Sequence, residues 1–395
     1  MNNKANRWLL PDGVDEILPP RADQLETLRR DILDLYRTCG YDLIKTPLIE
    51  FLDSLLIVPS HELQLSTFQI VDQLSGRSMG VRADISSQAA RIDAHVLQEN
   101  GPTRLCYADS VLLTRPKGQL GSRSPQLIGA ELYGHSGVES DVEVICLMLK
   151  TLSIAGIDQP LLALGHSSIT RTLLKAAALD DENAEKLYVA LQNKATADIT
   201  QLLAKSSIPT QVRECLAILP TLHGDIKVLQ QAATLFKGME PTLTAALDQL
   251  QAIAIGIMRT CPKQTLHFDL CELRGYDYHT GVIFSAYVAD HGEAIANGGR
   301  YDGLGAVFGR ARAATGFDAD LKTLLKLSRR EFPVGGKIFA PAGTDAALLQ
   351  TIERLRGEGR RVIQAFSGQT ETAAESGCNE QLVKDGSVWK VVNLK

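Results

Sequence analysis

The chain has no apolar run long enough to cross a bilayer, no CxxC pair, and no basic run longer than Ser328-Arg329-Arg330 or Gly359-Arg360-Arg361. The first absence excludes a membrane-spanning helix, and Met1–Asn6 carries no secretory h-region. The seven cysteines (Cys39, Cys106, Cys146, Cys215, Cys261, Cys271, Cys378) are odd in number and scattered. That argues against a disulfide framework or a zinc site and for a reducing compartment. Cys271 reads as a small buried thiol. A net charge of −5 and a pI near 5.9 give no sign of a polyanion-binding surface, so no nucleic-acid partner is expected. What is present is ordinary globular stock: 395 residues, 45% hydrophobic and 22% charged, enough for two or three domains with a substantial core.

Hydrophobic period divides the chain. Arg21–Cys39 reads as an amphipathic helix with Leu25, Leu28, Ile32, Leu35 and Cys39 on one stripe and Gly40 as its stop. Tyr41–Ile49 reads as a strand broken at Pro47, and Phe68–Val71 with Ser78–Arg82 as a hairpin around Gly76. A helix carries Ala89–Val96. Leu105–Ala108 and Ser110–Arg115 are strand-like, Pro116–Pro125 is a loop, and Pro125–Tyr133 is strand again. A helix at Asp141–Ser153 and a buried strand at Pro160–Gly165 follow. From 168 the texture becomes Ala/Leu-rich and helical, and the sheet resumes at Thr265–Leu273. After the linker Pro333-Val334-Gly335-Gly336, Lys337–Ala340, Asp345–Arg356, Arg361–Ala365 and Val388–Val392 spell a small α/β unit. Strands first, helices inserted and a terminal α/β piece imply an α+β fold with an antiparallel sheet. The expected divisions are a core in two parts, 1–167 and 263–332, a helical insertion at 168–262, and a C-terminal domain at 337–395.

The densest chemistry lies in Glu272–Tyr287, ELRGYDYHTGVIFSAY, and Asn297–Leu304, NGGRYDGL. Thr280, Val282, Phe284 and Ala286 alternate with Gly281, Ile283, Ser285 and Tyr287, a period-2 strand pattern. Gly298-Gly299 lets the backbone approach a ligand or a neighbouring strand closely. An arginine, several rings and a glycine lining suit a small molecule with a carboxylate and a flat ring. These two segments resemble the histidine-recognition motifs of histidyl-tRNA synthetase. The likeness extends to Pro11-Asp12-Gly13, to Gly40–Glu50 as the first class II motif, to Val81-Arg82-Ala83-Asp84, and to Ile128–Gly134 as the end of the second motif.

The resemblance implies a class II aminoacyl-tRNA synthetase-like antiparallel sheet with flanking helices. It also implies a histidine pocket. Asp84 and Ser86 would hold the α-amino group, Glu131 would face the imidazole or the amino group, and Arg274 would pair with a carboxylate. Tyr276, Tyr278, His279 and Tyr301 would wall the ring, with His279 standing where the family has a tyrosine. The nucleotide side departs. A triphosphate needs bidentate, permanently charged partners. Leu113 falls at the first arginine position, leaving Arg115 or Arg123 to substitute. Gly316–Leu324 reads GFDADLKTL, with Thr323 at the second arginine position and Asp318 and Asp320 bringing negative charge. Only about sixty residues follow Gly336.

A pocket retained and an ATP clamp lost make the chain similar to the regulatory subunits of ATP phosphoribosyltransferase. That likeness implies a cytoplasmic, non-catalytic protein of histidine biosynthesis, without metal or cofactor. It would dimerise through the class II core, join the short-form catalytic subunit in a hetero-octamer, and carry feedback inhibition by L-histidine. Two alternatives stay open, an active histidyl-tRNA synthetase and a stand-alone histidine-sensing scaffold.

Overall fold

A computed structural model describes residues 8–57, 61–116, 118, 121–205, 207–273, 278–289, 291–332 and 335–394. The chain divides into two compact units, Met1–Arg330 and Glu331–Lys395.

In the first unit the strands are β1 (Asp42–Leu43), β2 (Ile49–Phe51), β3 (Phe68–Val71), β4 (Ser78–Val81), β5 (Thr103–Ser110), β6 (Gln126–Tyr133), β7 (Leu161–His166), β8 (His223–Gly224), β9 (Leu266–Asp269), β10 (Val282–Tyr287), β11 (Ala296–Arg300) and β12 (Ala314–Asp320). Nine of them form one sheet in the order β1-β5-β6-β12-β11-β10-β7-β9-β8. Its centre is antiparallel, and the two motif strands β10 and β11 are neighbours, with Ile283 opposite Gly299. The period-2 alternation of β10 does not appear as alternating exposure, because helices and loops cover both faces and Val282–Ala286 are all buried. Among the described residues β2, β4 and β3 make a separate small sheet.

The helix Arg21–Thr38 packs against the large sheet through Leu25, Leu28, Ile32 and Tyr36. The sequence stripe placed Leu35 and Cys39 there instead. Tyr36 takes the inward position, where its hydroxyl accepts from Thr151 Oγ1 at 3.1 Å and its ring meets Phe317 edge-on at 6.2 Å. Gly40, at φ +82, ends the helix in a conformation that costs a side chain strain.

The strands and helices refine the pattern reading in places. Thr103–Ser110 is one strand, because Asp109 is satisfied by Lys45 Nζ at 3.1 Å, and strand geometry stops at Ser110 rather than running to Arg115. Beyond it, single hydrogen bonds still hold Val111 to Pro125 and Leu113 to Arg123. The helix carrying Ala89 is α-helical over Ser86–Arg91 and widens to a π-helix over Ile92–Leu97. There buried Asp93 accepts from Arg312 Nη1 at 2.7 Å. Between Ser167 and Thr260 helices dominate, and β8 contributes only two residues.

The second unit is a four-stranded sheet ordered β14-β13-β15-β16, where β13 is Lys337–Ala340, β14 Arg361–Gln364, β15 Glu380–Asp385 and β16 Val388–Asn393. Ile338, Ala340, Val362 and Leu382 pack with Leu348, Ile352 and Leu355 of the helix Ala346–Gly357. β15 went unread in the sequence because Leu382 is its only buried residue. Of the linker, Pro333 and Val334 lie outside the described residues.

Candidate functional site

Strand alternation sends Glu131 and Tyr133 of β6 to one face of the large sheet. Gly316 lies opposite Glu131 on β12 and gives it room, since a Cβ there would sit 1.5 Å from Glu131 Oε2. Ser86 Oγ donates to Glu131 Oε1 at 2.7 Å, the Tyr107 hydroxyl donates to the same oxygen at 3.1 Å, and the Tyr301 hydroxyl donates to Oε2. The Tyr133 hydroxyl stands 3.4 Å from that of Tyr301, with the two rings edge to face.

Glu131 is 0% exposed, and among the described residues its hydrogen-bond donors are all neutral hydroxyls. Burial pushes its carboxyl up to about 8, and the charge of Asp84 pushes the same way against the three hydroxyls. Burial likewise drives the phenols of Tyr107, Tyr133 and Tyr301 well above their ordinary range, so they remain donors. This is a deep acidic group whose partners among the described residues are hydroxyls set on aromatic rings and a serine. Such a group favours a ligand that brings a proton donor or a cation.

The other expected residues take varied places. Asp84 Oδ1 accepts the Ser86 N–H at 2.8 Å and Oδ2 the Ser87 N–H at 3.4 Å, so it fixes the turn that aims Ser86 at Glu131. His279 is buried, and its ring fits because Gly299 has no side chain: a Cβ there would lie 2.6 Å from Nε2. Gly298 makes the same allowance for the Phe284 ring at 2.4 Å. The glycine pair thus admits neighbouring side chains. Tyr278 is 40% exposed, its ring 4.2 Å from that of His279 and 6.3 Å from that of Tyr301. Arg274 and Tyr276 lie outside the described residues. Tyr107 and Tyr133 were missed as site residues, although Tyr133 follows Glu131 by two on one strand, the spacing that shares a face.

Arg300, inside the second motif, faces away from this cluster and forms a buried ion pair with Asp141, Nη2 to Oδ1 at 2.9 Å. It also donates to Ser140 Oγ, the carbonyls of His135 and Gly137, and Asp302. Asp302 in turn accepts the Ala314 N–H, and Thr280 Oγ1 accepts the Asp302 N–H. This lattice ties the two motifs together and to the helix Val138–Ile154.

On the nucleotide side, Leu113 is buried at the first arginine position. Arg123 does not substitute there: Nε donates to the Leu113 carbonyl at 3.1 Å and Nη1 to the Asp12 carbonyl at 3.0 Å, and the guanidinium lies over Phe68. Asp320 is not a bare negative charge. It caps the helix Leu321–Leu327, accepting from the Lys322 and Thr323 N–H groups and from Thr323 Oγ1, and it also accepts the Gln126 N–H at 2.9 Å. Asp318 shares the face of Gly316, and its charge reaches Tyr107. No group of three His, Cys, Asp or Glu among the described residues is placed to hold a metal ion, and no described helix is long and apolar enough to cross a membrane.

The sheet and its carboxylate–tyrosine cluster define a protein of the class II aminoacyl-tRNA synthetase fold, of the histidyl type. Residues 13–324 match the family described as Histidyl-tRNA synthetase, and residues 335–392 match the ATP phosphoribosyltransferase subunit HisZ C-terminal domain. The ATP phosphoribosyltransferase regulatory subunit of Thioalkalivibrio sulfidiphilus is 50% identical over 392 residues, 99% of each chain. That of Alkalilimnicola ehrlichii is 49% identical, covering 98% of this chain and 97% of its own. The chain belongs to the family of ATP phosphoribosyltransferase regulatory subunits. The crystal structure of an ATP phosphoribosyltransferase regulatory subunit/histidyl-tRNA synthetase from Bacillus halodurans superposes with a TM-score of 0.84 at 24% identity, covering 95% of this chain and 97% of its own. Histidyl-tRNA synthetase from Nostoc gives 0.76 at 18%, covering 95% and 91%. At those identities the likeness is one of fold.

Proposed function

We propose that the chain is the non-catalytic subunit that activates a short-form ATP phosphoribosyltransferase and binds L-histidine at the Glu131 cluster to bring feedback inhibition. The observation that carries the reading is a fully buried Glu131 carboxyl whose donors among the described residues are all hydroxyls, in a fold whose arginine positions for ATP hold Leu113 and Thr323. Histidine supplies both a ring N–H and an ammonium, which answer Glu131 and Asp84. Ser86, Tyr278, His279 and Tyr301 would frame it, with Arg274 taking the carboxylate.

Self-association through the class II core is part of the proposal. Ile49, Phe51, Phe68, Ile70 and Met79 share one partly exposed face of the β2-β4-β3 sheet, and an apolar face of this kind supports such a contact. A hetero-octamer with the catalytic subunit, a cytoplasmic setting, and the division into a two-part core (1–167, 263–332), insertion (168–262) and C-terminal domain (337–395) complete the reading.

The test mixes the purified chain with the short-form catalytic subunit and follows turnover and co-elution. Activation that histidine then suppresses supports the proposal. Turnover at the level of the catalytic subunit alone, without co-elution, leaves the scaffold reading. Charging of a tRNA would instead restore the synthetase reading.

A further inference from the structure

The helices Val138–Ile154 and Pro241–Thr260 pack side by side, with Gly256 of the second close against Val142 of the first. A Cβ on Gly256 would lie 2.6 Å from a Val142 methyl carbon. One turn further along both helices, Cys146 comes beside the Thr260–Cys261 end of its neighbour. Cys146 is 6% exposed, whereas Cys261 is partly exposed and sits just past the helix end, before Pro262. A residue outside the helix can shift enough to meet the geometry that a disulfide demands.

We propose that Cys146 and Cys261 form a reversible disulfide when the chain meets hydrogen peroxide, clamping the core helix to the last helix of the inserted segment. The division of labour follows from burial, which pushes the Cys146 thiol up to about 12 and makes it a poor first nucleophile. The Cys261 thiolate attacks one peroxide oxygen and breaks the O–O bond, giving a sulfenic acid. The departing hydroxide leaves as water with the proton that the Cys261 thiol gave up. Cys146 sulfur then attacks the sulfenic sulfur, the S–O bond breaks, and the hydroxide leaves as a second water with the Cys146 proton. Two thiols lose two electrons and one peroxide becomes two waters. Thiol–disulfide exchange reverses the link, as suits a redox device in a reducing compartment. The clamped core helix also carries Asp141, the partner of Arg300 beside Tyr301, so the clamp bears on the element that anchors the second motif.

The experiment treats the full chain with one equivalent of peroxide, alkylates remaining thiols, digests without reduction and maps linked peptides by mass spectrometry. The expected product joins the Cys146 and Cys261 peptides, disappears with dithiothreitol, and is absent from Cys261→Ser. Cys146→Ala should leave a Cys261 sulfenic acid that dimedone traps. Recovery of Cys261 as sulfinic acid without the link, or a dominant link between other cysteines, overturns the proposal.

Discussion

Gly316 faces Glu131 across the β6–β12 ladder, and a single methyl group added to it would occupy the space of the carboxylate. A glycine on one strand therefore sets the position of the acidic group on the next. Gly316→Ala should displace the Glu131 carboxylate from its three hydroxyl donors and lower histidine affinity by a factor of roughly ten to a hundred, the usual scale for breaking hydrogen bonds to a charged group. Calorimetry on a folded Gly316→Ala variant that matched the parent would show that the carboxylate's position is immaterial to the ligand.

Truncating the charged partners should act directly. On the proposed histidine site, Glu131→Ala and Arg274→Ala would each remove a partner of one charge of the ligand, a change worth about 2–5 kcal/mol, or roughly thirty-fold or more in Kd. If both variants bind histidine as the parent does, the ligand sits elsewhere.

Glu131 also makes stability depend on pH. Its carboxyl stands at about 8 in the folded chain against an ordinary 4.5, so within that window the folded state keeps a proton that the unfolded state has released. The stabilising contribution is complete below the ordinary value and is lost as pH rises through about 8. Melting midpoints of the ligand-free chain should fall between pH 6 and pH 8, and Glu131→Gln should flatten that slope. An unchanged slope in the variant would remove Glu131 as its source.

The Arg300–Asp141 pair offers a test of architecture. Both side chains are almost fully buried, and Asp141→Ala would strand the guanidinium, a loss of about 3–5 kcal/mol. Urea unfolding that shifted by less than about 1 kcal/mol would mean that the remaining acceptors around Arg300 suffice.

Histidine-dependent pyrophosphate exchange should be undetectable, since each missing transition-state contact is commonly worth about two to three orders of magnitude in rate. Exchange that required Arg115 would contradict the loss of nucleotide chemistry.

What the sequence disclosed of its strands and helices came through period, and what it disclosed of the site came through the resemblance to a known family. The β10–β11 pairing follows from strand alternation, whereas Ser86, Glu131 and Tyr301, joined here by hydrogen bonds, stand out in the sequence through the resemblance to histidyl-tRNA synthetase. Tyr107 escaped notice because β5 has no motif of its own, and its role exists only once β5 lies beside β6. Arg300 and Asp320 were obscured for the opposite reason. Their neighbourhoods are motif-rich, but their partners Asp141 and the Gln126 amide come from distant positions that local pattern cannot pair. Tyr36 and Leu35 both fit the helical period after Ile32, so the stripe alone does not choose between them, and Tyr36 faces inward, where its hydroxyl meets Thr151.

The cap made by Asp320 bears on how reversible this architecture is. An arginine restored at 323 would enter the first turn of a helix whose start is organised around that aspartate, and the adjacent carboxylate would hold the guanidinium against its own helix. Replacing Asp320 to release it would unfasten the Gln126 amide and the helix start together. Each single step back toward a phosphate-binding surface is thus blocked by the other, and the helix cap works as a ratchet that holds the chain in its present chemistry.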